Sequence, residues 1–331
     1  MKTFLVLICS VFCWLSPGQV QKDVMVKRTL KLMGTRFEIT VVAPNEEIGY
    51  INIDEAVSEI ERIEKIISSW DENSETAQIN KNAGIKPVQV SPELFGLIER
   101  SKKISEITDG AFDISYASMD KIWKFDGSMQ SMPSKQEIAK SVAKVGYEKI
   151  ILDPEEHTVF LSETGMRIGF GAIGKGYAAD RAKELLVSKQ VKGGIINASG
   201  DLTTWGTKAT GEKWLVGIAN PLSKEKVFSW LPIVESSVAT SGNYEKYVIL
   251  NGKKYSHIID PRTGYPTTGI SSVSVFAKQA ELCDALATAV FTMGKDSGIH
   301  MINQIDGVEV VVVDSDNKIH KSTGIIFDTN Q

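Results

Sequence analysis

The sequence predicts an α+β protein, with mixed sheets and packed helices in two closely associated lobes, and three observations lead there. Stretches with a helical apolar period alternate along the chain with β-branched, alternating stretches. No Pro-, Gly- or Ser-rich linker separates them into independent units. The length, 331 residues, is about twice an ordinary domain of ~150, enough to bury a sizeable core. With 42% hydrophobic and 24% charged residues the composition is globular, which excludes a disordered chain, a collagen-like repeat and a multi-span membrane protein. The net charge of -4, from 37 Lys+Arg against 41 Asp+Glu, offers no basic surplus for a phosphate backbone. Small-molecule or protein partners are expected, and nucleic acid is not.

Taken in order, the chain opens on Lys2 and an apolar run from Phe4 to Leu15, too short to span a bilayer and broken at Ser16, Pro17 and Gly18. This reads as a signal peptide over residues 1–18, cleaved after Gly18, with export as the consequence and residues 19–331 as one functional domain. The competing reading is a buried N-terminal element. Cys9 and Cys13 lie in the run behind the bulky Ile8 and Phe12, which disfavours a lipid anchor. Cleavage leaves Cys283 alone, so no intramolecular disulfide staples the mature chain.

Thr29 to Val42 reads as a strand interrupted at Gly34 by a bulge or close backbone approach. Ala56, Val57, Ile60, Ile63, Ile66 and Ile67 recur at helical spacing in a helix ending near Trp70. Ser91-Pro92 starts a second helix, and Ser134 with Glu137 forms a capping box for a third. From Thr158 the texture changes to strands with Gly-rich turns and a helix from about Lys175 to Lys189, stopped by Gly193-Gly194. Asn251-Gly252, between the apolar runs Tyr247 to Leu250 and Tyr255 to Ile259, signals a type I′ hairpin. A strand from Ser271 to Ala277 leads into a helix from about Ala280 to Met293. The chain closes on a hairpin of Val308 to Val313 and Lys318 to Lys321.

Four constellations carry candidate chemistry. Asp284 and Thr288 share one face of a helix, where Ala285, Ala287 and Ala289 leave room for a hard cation such as Mg²⁺. The alternative is a solvated Asp and a Thr bonded to its own backbone. In IGFGAIGKGYAAD, Gly169, Gly171, Gly174 and Gly176 surround Lys175 ahead of a helix, a pattern suited to an anion or equally to plain turns. The spacing fails the P-loop pattern, and a dinucleotide fingerprint would want a parallel βαβ unit. His257, at a strand end beside the turn Asp260-Pro261-Arg262-Thr263-Gly264, is placed to take a proton near neutral pH, or else is structural. The segment TDGAFD reads as a loop carrying Asp109 and Asp113. His157, His300 and His320 have no such context, and no zinc pattern is present.

Together, in order, these motifs resemble the ApbE family of FAD:protein FMN transferases. The resemblance runs through MGTRFEI at Met33, SSWDENSETAQIN at Ser68, TDGAFD, IGFGAIGKGYAAD, INASGDL at Ile196, ATSGNYEKY at Ala239, SHIIDPRTG and DALATAVFTMG at Asp284. It implies a cofactor cleft between the lobes, a requirement for Mg²⁺, and FAD as substrate. FMN would be attached through phosphate to a Thr or Ser of an acceptor protein, commonly a membrane-associated redox subunit, with release of AMP. Carried over by motif, Asp284, Thr288 and the carbonyl of Ala172 would hold the metal, and His257 would be the general base. Asp260 would position flavin or orient the site, and Lys175 would face phosphates or ribose. Met33, Trp70, Ala111, Phe112 and Asp113 would line the flavin and adenosine sites, with Ser241 and Gly242 against the cofactor. Gly169 stands where many members carry Asp, which removes one expected polar contact and leaves open whether another carboxylate, such as Asp201, compensates. An Mg²⁺-dependent FAD pyrophosphatase and a non-enzymatic, exported FAD-binding protein are the alternatives. A periplasmic location, or the outer face of the cytoplasmic membrane, is expected.

Overall fold

The computed structural model describes residues 22–219, 227–233, 235–243 and 246–326. The signal segment at residues 1–18 lies outside the described residues. In chain order the strands are β1 Val24–Leu32, β2 Thr35–Ala43, β3 Val88–Gln89, β4 Ile150–Asp153, β5 Thr158–Leu161, β6 Gly194–Ala198, β7 Asp201–Trp205, β8 Trp214–Ala219, β9 Val227–Ile233, β10 Ser237–Gly242, β11 Tyr247–Leu250, β12 Lys253–Ser256, β13 Ile270–Ala277, β14 Glu309–Asp314 and β15 Ile319–Lys321. The helices are α1 Glu46–Ile67, α2 Glu75–Lys81, α3 Pro92–Ile107, α4 Lys135–Ser141, α5 Gly174–Ser188, α6 Ala280–Met293 and α7 Lys295–Ile302. Among the described residues no helix is long and apolar enough to cross a membrane.

The scaffold is an eight-stranded sheet in the order β1-β2-β6-β7-β10-β13-β14-β15, with every pairing antiparallel. Alternate residues of its strands turn Phe37, Ile39, Val41, Ile196, Val273, Val275, Val310 and Val312 into one large core shared with α1, α3, α5 and α6. Residues of the opposite parity, including Val42, Val238, Phe276 and Val311, cover a smaller cluster with Trp214 on the other face. A third cluster of Trp123, Ile138, Val248, Leu250 and Ile259 stands apart and supports the β11–β12 hairpin. The mixed α+β class is as predicted. Helix α5 joins β5, in a separate three-stranded sheet, to β6 in the main sheet, so the glycine-rich segment before it is not part of a parallel βαβ unit.

Several local expectations are met closely. The caps at Ser91 and Ser134 form, the latter as a full capping box with Glu137. Asn251 and Gly252 both take positive φ, at 52° and 75°, as a type I′ turn requires. Helix α6 occupies Ala280–Met293, as the pattern predicts.

Three expectations are corrected. Thr29 to Val42 is not one interrupted strand but parts of β1 and β2: Met33 and Gly34, with φ of 50° and 73°, reverse the chain between the paired residues Leu32 and Thr35. Helix α1 stops at Ile67, short of Trp70, because Ser68 is extended and its Oγ accepts from the N–H groups of Trp70 and Asp71. Helix α5 closes at Lys189, as expected, but the stop is Gln190 in the left-handed region and not Gly193-Gly194, since Gly194 begins β6. At Gly194 an added Cβ would meet the Trp205 ring at 2.4 Å, so that glycine serves close packing.

Gly176 sets the spacing of α5 and α6. A Cβ there would lie 2.2 Å from the backbone oxygen of Ala280, and no rotamer change moves a carbonyl. Gly176→Ala gains ~1 kcal/mol of helix propensity but incurs overpacking of roughly 1–3 kcal/mol. The expected result is a lower denaturation midpoint; an equal or higher midpoint in urea unfolding would contradict the contact.

Candidate active site

The N-termini of α5 and α6 cap each other. Neither helix has a capping hydrogen bond from the side chain of its own N-cap residue. Instead Asp180, on α5, accepts from the Glu281 N–H at 2.9 Å, and Asp284, on α6, accepts from the Gly176 N–H at 3.3 Å. Each carboxylate thus meets the positive end of the other helix, where backbone N–H groups lack partners within their own helix. The exchange delivers Lys175, Asp284 and, one turn further along α6, Thr288 to one place.

A third element completes the cluster. Ser199 and Gly200, with φ of 56° and 108°, form the two-residue turn between β6 and β7, held by the Gly200 N–H on Asn197 Oδ1 at 2.9 Å. The first residue beyond it, Asp201, is 5% exposed, and its carboxylate lies 2.7 Å from Lys175 Nζ. Lys175 Nζ is also 3.2 Å and 3.4 Å from the two oxygens of Asp284. Burial opposes the Lys175 charge, but Asp284 and Asp201 outweigh it and hold its pKa above the ordinary lysine value. Burial, and then the neighbouring Asp284, push the Asp201 carboxyl upward. The Ser241 and Thr288 hydroxyls approach to 3.4 Å beside this group.

These residues line a cavity of about 640 Å³, within the range of small-molecule sites. Asp201, Ser241, Asp284 and Thr288 stand on the side of the main sheet and its helices, whereas His257 and Ile259 come from the side built by the small third cluster. His257 follows β12 directly, and its Nδ1 is 3.1 Å from the Lys246 carbonyl, which can only accept. That contact therefore puts a hydrogen on Nδ1. The Phe125 ring meets the imidazole edge-on at 6.5 Å.

Most of the residues implied by motif converge here. Trp70, Ala111, Phe112, Asp113, Ala172, Lys175, Ser241, His257, Asp284 and Thr288 all border the cavity. Trp70 presents its ring at 82% exposure, with Lys121 Nζ 4.9 Å from the ring centroid. Asp113 is buried, burial raises its carboxyl pKa, and it accepts from the Ser115 N–H at 2.7 Å. Two residues stand back from the lining. Met33 occupies the β1–β2 turn and packs against the main core, its N–H on Glu64. Asp260 faces Arg262, with Nε and Nη2 each 2.9 Å from its carboxylate oxygens, so it shapes the loop after His257. Thr35, Tyr116 and Ser199 also border the cavity; Thr35 and Ser199 lie inside MGTRFEI and INASGDL, whereas Tyr116 lies outside every motif. At Gly169 a Cβ would lie 3.1 Å from that of Ala117, so any larger residue there would press on the cavity wall.

Among the described residues no group of three or more His, Cys, Asp or Glu could hold a metal ion. Any cation in the cavity would therefore complete its shell with oxygen from hydroxyl, carbonyl, water or a bound phosphate beside one or two carboxylates. An α+β enzyme with an imidazole and buried charges on the walls of one cleft is the class that fold and site define, and comparison with known proteins makes it a transferase. The ApbE family model matches residues 33–312, and the chain belongs to that family. It is 32% identical over 262 residues to a FAD:protein FMN transferase of Klebsiella pneumoniae, covering 78% of this chain and 81% of the relative. Against the FAD:protein FMN transferase of Treponema pallidum it is 29% identical over 312 residues, 89% and 86% of the two chains. The solved ApbE protein of Thermotoga maritima superposes with a TM-score of 0.82 at 30% identity, covering 91% of this chain and 97% of that one.

Burial pushes the Asp180 carboxyl up to about 6, against an ordinary 3.8. The folded state therefore holds this proton to higher pH than the unfolded chain. The stability it contributes is complete below pH ~4 and lost as pH rises through about 6, a change of at most roughly 3 kcal/mol. Asp180→Asn keeps a cap acceptor without the titration. Its stability relative to the parent is expected to rise from pH 4 to pH 7 in chemical denaturation; a constant difference would refute the assignment.

Proposed function

We propose that this protein transfers FMN from FAD to a Thr or Ser hydroxyl of an acceptor protein, with AMP as leaving group and Mg²⁺ required. The observation that carries the reading is the cleft itself: the Lys175, Asp201 and Asp284 cluster and the His257 imidazole line one cavity in a member of the ApbE family. The relatives named FAD:protein FMN transferase support the substrate and the reaction.

In the reaction a bond forms between the acceptor oxygen and the FMN phosphorus, and the pyrophosphate bond to AMP breaks. His257 Nε2 accepts the proton of the acceptor hydroxyl as that oxygen attacks, while the Lys246 carbonyl fixes the tautomer through Nδ1. Lys175 offers an ammonium to the phosphate region, and the Trp70 ring offers an exposed face for a planar ring system. Asp113 and the walls beside it orient the bound dinucleotide. The Asp284 carboxylate, Thr288 hydroxyl and Ala172 carbonyl would supply an all-oxygen donor set suited to Mg²⁺. Once bound, the cation supplies Lewis-acid neutralisation of charge on phosphate oxygens. The apolar run at residues 4–15 supports export to the periplasmic side of the membrane, where a membrane-associated redox subunit is the proposed acceptor.

The test is intact-mass analysis of an acceptor domain carrying the modifiable Thr, incubated with mature protein, FAD and Mg²⁺ while free AMP and FMN are followed. An FMN-sized gain on the acceptor matched by AMP is the expected result. AMP with free FMN and no gain would replace the transferase by a pyrophosphatase, and FAD retention without AMP by a binding protein. His257→Gln should lower the transfer rate by roughly 10²–10⁴ while FAD binding, read by fluorescence, is retained. A rate within a few fold of the parent would remove His257 from the role of base.

A further inference from the structure

We propose that Asp201 is a positioning residue that anchors the Lys175 ammonium so that Asp284 can be released to a divalent cation. The inference deepens the function proposed above and rests on its cation site. Lys175 is held unequally: Nζ lies 2.7 Å from Asp201 but 3.2 Å and 3.4 Å from the Asp284 oxygens. The near partner is also the fixed one. Asp201 leaves a two-residue turn with positive φ at both positions, tied by the Gly200 N–H to Asn197 and by the Ser199 hydroxyl to that of Thr35 at 2.7 Å. Among the described residues the polar contacts of Asp284 are all long: the ammonium at 3.2 and 3.4 Å and the Gly176 N–H at 3.3 Å.

An ammonium and a divalent cation compete for the same carboxylate. With Asp201 in place, Lys175 gives up the longer contact, keeps the shorter one and remains neutralised inside the cavity. Without Asp201, Lys175 would pair with Asp284 alone, and a cation could reach that carboxylate only by breaking a buried ion pair, which is costly when it strands a charge. Asp201 therefore acts through Lys175 and not as a ligand of the ion.

That distinction is tested with Mn²⁺ alone as the probe, titrated into the full chain while free Mn²⁺ is read by electron paramagnetic resonance. Parent, Asp201→Asn, Asp201→Ser, Lys175→Met and the Asp201→Asn/Lys175→Met double variant form the set, each checked for folding by thermal melting. Loss of Asp201 should weaken Mn²⁺ binding roughly tenfold when Lys175 is present and less than about threefold in the Lys175→Met background, the non-additivity expected of a residue acting through its neighbour. Equal losses in both backgrounds would make Asp201 a direct ligand, and unchanged binding in Asp201→Asn or Asp201→Ser would remove it from the site; either overturns the inference alone. Absence of Mn²⁺ binding by the parent overturns the cation site of the proposed function and this inference together.

Discussion

The site depends on one contact, the close approach of α5 to α6 at Gly176 and the exchange of carboxylate caps that accompanies it. Both helices begin with N–H groups that need acceptors, and each takes its acceptor from the other. The two termini are therefore locked in register as well as in distance. Lys175 sits one residue before the glycine at the contact, so the ammonium reaches Asp284 only because no side chain separates the helices. A group that stabilises the fold at one oxygen is thus available for chemistry at the same place.

The opposite wall has a different origin. The β11–β12 hairpin belongs to none of the larger sheets, and its inward residues Val248 and Leu250 pack with Trp123, Ile138 and Ile259 in a small core of their own. The Trp123 indole donates to the Gly264 carbonyl at 2.8 Å, tying the turn after His257 to that core. The His257 imidazole and the charged cluster are thereby carried by separate packing units that meet at the cavity. This division suits a transfer between two substrates, since one wall can hold a nucleotide while the other faces an incoming hydroxyl.

Much of this was legible in the residues because it is local. Asn251-Gly252 specifies its own turn, Ser134 and Glu137 their own cap, and Ala280 to Met293 an uninterrupted apolar helix, so these elements match the structure closely. Errors arose where local signals compete. Gly34 in a β-branched stretch read as an irregularity because Met33 carries no sign of positive φ; only the partner strand shows that the pair is a hairpin turn. Gly193-Gly194 read as a helix stop because glycine serves chain reversal and close packing alike, and the Trp205 ring that makes the second use clear is eleven residues away.

For the site, the order of the motifs names the participants, since Lys175, His257, Asp284 and Thr288 each sit in recognisable wording. What they do to one another is not written locally. Asp201 joins Lys175 from a β-turn, Asp180 and Asp284 cap helices they do not belong to, and Asp260 turns toward Arg262 in its own loop while Met33 packs on the core. Residue type and spacing settle which groups can bear charge or move a proton. Their partners lie up to about a hundred positions away, so ion pairs, burial and access to the cavity are set only when the sheet and helices close around them.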